Sequence, residues 1–506
     1  MKVITPLLVL LWIVTLSWYV NISEAALSIL RLDSSSSQIR TPSASVHGMK
    51  SLKGNRIPKP IISTIEKLQG WNQVNVNSQQ SRLAWFSNEN RQSSDFSISL
   101  SNVATQIEES SFLLDTARSR LLFLHTTIPS SQEDEQNESL SNTILGIFNL
   151  QTLRYVSNFE NDVLPSELQM LDHDVVMPLP VLDQFGNFYI IRKNILNGRN
   201  YLLKLDTSSN FPEKHSKWTI LYESDGLMEV MHSLLLIQDD ENQDSKILLS
   251  TSRKILCLLS TSENKILYEI TNESNKGYFG QLIRDGKSPY VYATVYGGLV
   301  QFEVATGQVI SETSFDSSLV PYHVSSMEDF LITLSQFRTL DGSMIFATAF
   351  LKRNLSQSTQ SITLTSDRPG ECSNAISMSN NHVVILCRTK HEQDISKNQY
   401  TLLGMQVNSE TLQIEKKWTL DVSKQASISV CSLQIAQIHE NDQSVDGIGV
   451  ACDSSWLTID PFSGTVLNMK NGKFVDSEQT QIISTLNGMI YALQPHVQRI
   501  DGVSLK

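Results

Sequence analysis

The sequence predicts an all-β chain folded as a β-propeller of four-stranded antiparallel blades. Three observations predict it. A phrase of two short apolar strands around a polar turn keeps returning, clearest in GLVQFEVATGQVISETSF from Gly298 to Phe315. A hairpin repeated at long period belongs to a radial or stacked β architecture. Between the copies lie short runs rich in Val, Ile, Tyr and Phe, such as LLFLH from Leu121, YVYATVY from Tyr290 and HVVILCR from His382, which read as strands. No long segment keeps apolar residues at the i, i+3, i+4, i+7 spacing of a helix.

The first 25 residues read as a cleaved signal peptide. Lys2 is followed by a largely apolar run from Ile4 to Val20, and Ser23 and Ala25 sit where a signal peptidase needs small residues. The run is short for a spanning helix of about 20 residues, although a retained signal anchor stays open. Residues 26–60 read as a flexible basic linker rich in Ser and Pro, with Arg40, Lys50, Lys53, Arg56 and Lys59. Residues 61–506 are assigned to the propeller. No later run reaches membrane-spanning length, so the mature chain is expected to have no transmembrane segment and to lie in the endoplasmic reticulum lumen or outside the cell.

Outer hairpins begin near residues 82, 144, 201, 255, 298, 344, 402 and 456. Eight hairpins suggest eight blades. The hairpin from Arg82 is degenerate, so seven stay possible. A last fragment, GMIYALQPHVQRIDG from Gly488, either completes the first blade and closes the ring or forms its own last hairpin.

The hairpin turns also carry a family resemblance. VQFEVATGQVISE and TIDPFSGTVLNM resemble the quinoprotein-like β-propeller repeat, in which an apolar strand ends in a small or acidic residue, a Thr-Gly turn follows and the next strand carries Trp. Ala305-Thr306-Gly307 and Ser463-Gly464 match the turn, Asp206 and Asp460 the acidic position, and Trp218 and Trp418 the strand. The resemblance covers the chain from about residue 80 onward. It implies the propeller fold and leaves activity open, since one fold hosts many functions. The chain is also similar in kind to propeller scaffolds of membrane-protein insertion and assembly machines.

Five cysteines bear on compartment. Cys372 and Cys387 bracket one hairpin and Cys431 and Cys452 another, which suggests two disulfides in an oxidising compartment, with other pairings open. Cys257 reads as a small buried hydrophobe. The sequons at Asn137, Asn272 and Asn354 suggest glycosylation at surface turns.

Catalytic motifs are scarce. There is no nucleophile elbow, His-Glu-x-x-His or phosphate-binding loop, and no Cys/His cluster with zinc spacing. Asp174, Asp183 and Asp285 could be acids but suit turn chemistry, because Asp bonds its own backbone. His173 beside Asp174 reads as a polar strand entry. Asp239, Asp240, Glu241 and Asp244 could bind Ca²⁺ but suit a solvated hairpin tip. Tyr290, Tyr292 and Tyr296 read as a packed seam between blades, with a ligand platform as the sharper alternative. A net charge of −12 repels phosphate backbones, so nucleic acid is not an expected partner. The expected function is a non-catalytic scaffold binding proteins on a propeller face, without a cofactor. The competing expectation is an enzyme or a small-molecule or glycan binder at the central channel.

Overall fold

The continuous apolar runs become strands buried on both faces. Arg120–Thr126, Tyr290–Val295 and Ser455–Ile459 are buried along almost their whole length. The strand after each turn is far more exposed, as in Ile266–Thr271 and Val466–Asn471. This gradient from buried to exposed strands is what a four-stranded blade requires. The computed structural model describes the chain from Asp95 to Ser504 apart from parts of the connecting loops, together with Asn72–Gln73 and Leu83–Ala84. The described residues all fall within one compact unit, Ile57–Lys506. The expected signal peptide and linker, residues 1–60, lie outside the described residues.

Eight antiparallel sheets make eight blades, each with strands a to d. In chain order their c strands are Thr143–Asn149 (blade I), Asn200–Asp206 (II), Lys254–Leu259 (III), Gly298–Glu303 (IV), Gly342–Leu351 (V), Asn398–Asn408 (VI), Ser455–Ile459 (VII) and Arg499–Ser504 (VIII). Seven of the expected outer hairpins are therefore c–d pairs. The one expected near residue 82 is not. Leu83–Ala84 pairs in parallel with Ser484 and Thr485 of the a strand of blade VIII. The missing d strand of that blade is Phe96–Ser99, which pairs antiparallel with Arg499–Ser504. The two ends of the described chain thus share one blade and close the ring. The C-terminal fragment supplies the inner strands of the closing blade and the N-terminal segment its outer strand.

Closure depends on a glycine. Phe96 lies opposite Gly502, where a Cβ would come within 2.2 Å of the phenyl ring. Asp95 accepts hydrogen bonds from Ser504 N–H at 2.8 Å and from Lys470 Nζ of blade VII at 2.9 Å.

The core is ring-shaped. Eight apolar clusters each join two consecutive blades, from the I–II cluster of Leu124, Leu145, Phe188 and Leu203 to the VIII–I cluster of Phe123, Phe148, Tyr491 and Leu493. Each blade buries both faces against its neighbours, which explains why its runs are continuous rather than alternating.

Candidate functional site

The a strands of neighbouring blades touch around the inside of the ring. Packed this closely, their backbone N–H groups need acceptors, because a buried unpaired donor costs about 1–3 kcal/mol. Side chains of the preceding blade supply them. Ser233 Oγ accepts from Leu282 N–H at 3.2 Å and Gln281 Oε1 from Val324 N–H at 2.8 Å. His323 Nε2 accepts from Ala375 N–H at 3.0 Å. Gln434 Oε1 accepts from Ile482 N–H at 3.0 Å and Gln481 Oε1 from Phe112 N–H at 3.1 Å. Five of the eight seams are stitched this way. In blades IV, V and VIII the polar residue immediately precedes the amide stitched from the other side. Ser325 and Ser377 add a hydroxyl pair at 2.8 Å across the V–VI seam.

His323 is fully buried, and burial pulls its pKa down to about 3, so it is the neutral ring that accepts. His232, on the a strand of blade III, is pushed down to about 4 by the same cause. Ser233, Gln281, His323, Gln434 and Gln481 are thus committed to holding blades together.

Polar fasteners also cross the seams farther out. Arg120 of blade I pairs with buried Asp115 at 2.8 Å and donates to Thr207 Oγ1 of blade II at 2.9 Å. Asp329 and Asn381 exchange hydrogen bonds between V and VI. Trp418, on the d strand of VI, lies on Gly464 in the c–d turn of VII, where a Cβ would be 2.5 Å from the indole, and donates Nε1–H to Pro461 O at 3.1 Å. Tyr268 of III lies on Gly307 of IV in the same manner and donates its hydroxyl to Val304 O at 2.8 Å. Both glycines have positive φ, +74° and +71°, which the tight turn requires.

The outer rim is different in character. Among the described residues, eleven large apolar side chains stay exposed, and seven of them lie on d strands: Ile220, Ile266, Leu267, Val309, Ile310, Leu467 and Met469. The contact of Tyr268 with Gly307 brings Ile266 and Leu267 of III beside the turn that leads into Val309 and Ile310 of IV. These exposed apolar residues on the outer strands are the feature that most resembles a docking surface.

The residues singled out in the sequence fall as follows. Asp183 is buried, and its carboxylate accepts from Phe185 N–H, Asn187 N–H, Asn187 Nδ2 and Tyr189 OH at 2.7–2.9 Å, so it organises a turn. Asp285 takes Lys352 Nζ of blade V at 2.5 Å, a seam contact. Tyr292 is buried in the IV–V cluster beside Val324 and Phe350, and Tyr290 is half-buried. Cys372 and Cys387 are directly opposed and form a disulfide of 2.01 Å, and Cys431 and Cys452 form one of 2.11 Å. Each joins strands a and b of one blade, VI and VII respectively. Cys257 is buried opposite Tyr268. Asn354 is exposed at the c–d turn of blade V. Asn137, Asn272, His173, Asp174, Asp239, Asp240, Glu241, Asp244 and Tyr296 lie outside the described residues. The stitching residues were not anticipated, and their one signal is a polar residue set among apolar ones at the start of a blade, as in Gly280-Gln281-Leu282.

No protein-family model matches the chain, and no curated protein matches it. Solved propeller structures are similar at low identity. Sqt1 from Chaetomium thermophilum, bound to the N-terminus of ribosomal protein L10, is 10% identical with a TM-score of 0.47, covering 80% of this chain and 100% of its own. The WD40 domain of SCAP from fission yeast is 9% identical with a TM-score of 0.42, covering 81% and 98%. The dihydro-heme d1 dehydrogenase NirN is 10% identical with a TM-score of 0.40, covering 77% and 80%. Scores below 0.5 carry no argument about what this chain binds or does.

Proposed function

We propose that this chain is a non-catalytic scaffold of the secretory pathway that binds protein partners on its outer rim, in the assembly of lumenal or membrane proteins. One observation carries the reading. The exposed apolar residues gather on d strands, while five polar side chains of the inner strands are spent on stitching blades together. Two disulfides in successive blades suit an oxidising lumen. The quinoprotein-like reading of the repeat gains support from Trp418 on Gly464 and Tyr268 on Gly307. Trp418 and Gly464, a strand Trp and a turn glycine that the resemblance names, meet between blades VI and VII, and Tyr268 takes the equivalent place on Gly307.

The test is mild crosslinking of the tagged full chain in secreting eukaryotic cells, followed by affinity purification and mass spectrometry. A stoichiometric partner is expected with the native rim. It should be lost when Ile266, Leu267, Val309 and Ile310 are changed to alternating Lys and Glu. A clean monomer from the native chain, with no partner, overturns the scaffold reading.

A further inference from the structure

We propose that Asn354 carries an N-linked glycan and that this glycan covers the open outer edge of blade V. The proposal rests on the secretory reading above. Asn354 begins the d strand Asn354–Ser358, whose burial alternates so that Leu355 points inward while Asn354, Ser356, Gln357 and Ser358 face solvent. Leu355 is 1% exposed and packs with Tyr292 and Leu299 of blade IV, which fixes the strand with Asn354 outward. Ser356 donates its hydroxyl to Asn354 Oδ1 at 2.6 Å and its N–H to the same oxygen at 3.3 Å. Those two bonds engage Oδ1 rather than Nδ2 of an exposed amide. Drawing electron density toward Oδ1 also makes the N–H protons easier to lose. Only three consecutive residues build this turn, so it is available before the blade folds.

The transfer balances. Nδ2 attacks the anomeric carbon of a lipid-pyrophosphate-linked oligosaccharide and a C–N bond forms. The C–O bond to the pyrophosphate breaks, the lipid pyrophosphate leaves with the electron pair, and Nδ2 loses one proton.

The edge itself explains what a glycan would do there. Exposed strand edges pair with other chains unless charge, proline or a cover prevents it. The d strand of blade VI carries Glu415, Lys416 and Lys417, and that of VII carries Lys470. From Asn354 to Ser361 the sequence NLSQSTQS has no charged residue and no proline. Its ladder to the c strand is also sparse, with Leu351 opposite Asn354 and Phe350 opposite Ser358 across a register shift.

The experiment expresses the full chain with its own leader in glycosylating eukaryotic cells and maps peptides under non-reducing conditions. A glycan mass on the Asn354 peptide is expected in the native chain and in Ser356→Thr, and is absent in Asn354→Gln and Ser356→Ala. A chain that is secreted with both disulfides formed but is unmodified at Asn354 overturns this site and leaves the secretory reading standing. A chain retained in the cytosol with reduced cysteines overturns both. Gel filtration reads the shielding: Asn354→Gln should self-associate at concentrations where Ser356→Thr stays monomeric, and identical elution removes that role.

Discussion

His323 shows at the scale of one residue how the ring is held and how it can be undone. Its neutral Nε2 accepts from Ala375 across the V–VI seam, and its folded pKa of about 3 lies well below the value of about 6.5 for a free imidazole. A basic group whose folded pKa is depressed stays neutral in the native state while the unfolded chain takes up the proton. Its stabilising contribution is therefore full above about pH 6.5 and is lost as pH falls toward 3. Between pH 7.5 and 4.5 this one group should cost about 2–3 kcal/mol. His125, His232 and His382 are also pulled down by burial and act in the same direction. Denaturant unfolding of His323→Gln checks the assignment. Gln keeps an acceptor and does not titrate, so the variant should lose about 2–3 kcal/mol less than the native chain over that range. An unchanged pH dependence would show that His323 is not the group responsible. The partner was not legible in the sequence, because a polar His between Tyr322 and Val324 at the start of a blade carries no mark of the amide it will meet in another blade. Asp183 was legible, since three of its four hydrogen bonds stay within the turn that the local sequence Asp183-Gln-Phe-Gly-Asn187 already announces and the fourth comes from Tyr189 on the strand that follows.

At the scale of elements, the hairpin was the legible unit. Seven c–d pairs stand where the repeated phrase places them, because such a pair is built from contiguous residues and closes through a turn residue at positive φ, as at Gly307 and Gly464. The eighth pair was misplaced because its strands, Arg499–Ser504 and Phe96–Ser99, come from opposite ends of the chain and share no local pattern. The exposed rim was hidden for another reason. Val309 and Ile310 are apolar in VQFEVATGQVISE, and nothing in that phrase shows that their side chains stay exposed on the outer strand. The cysteine pairs sit on contiguous a–b strands and were within reach. They close loops with sequence separations of 15 and 21 residues. In the chain-entropy model a loop of that size contributes about 3 kcal/mol. Changing both Cys372 and Cys387 to Ser should therefore lower unfolding free energy by about 2–4 kcal/mol. The same double change in the VII pair should cost a similar amount. A reductant should destabilise the native chain but leave a chain lacking all four of these cysteines unaffected.

For the whole molecule, the decisive difference is between d strands that only face outward and the one that closes the ring. Phe96–Ser99 and Val309–Ser314 occupy the same place in their blades. Val309 and Ile310 are 44% and 49% exposed, so changing both to Asp should shift stability by no more than about 0.5 kcal/mol each, as surface substitutions usually do. Phe96 and Ile98 instead pack on the cluster that joins blades VIII and I, with the Phe96 ring 6.1 Å from that of Phe148. Changing both to Asp would put two charges against apolar side chains and release the strand from Arg499–Ser504. The loss should reach about 3–5 kcal/mol, in the range of large apolar truncations in a core. Ring geometry adds a second consequence. Each blade is stabilised by two seams, so opening one seam exposes the facing surfaces of VIII and I and gives unfolding two free ends from which to spread. The Phe96→Asp, Ile98→Asp chain should accordingly show new proteolytic cleavage first in blades VIII and I, while the Val309→Asp, Ile310→Asp chain keeps the native digestion pattern. Equal stability losses in the two variants would mean that the closing strand is dispensable and that the apolar seams alone hold the ring.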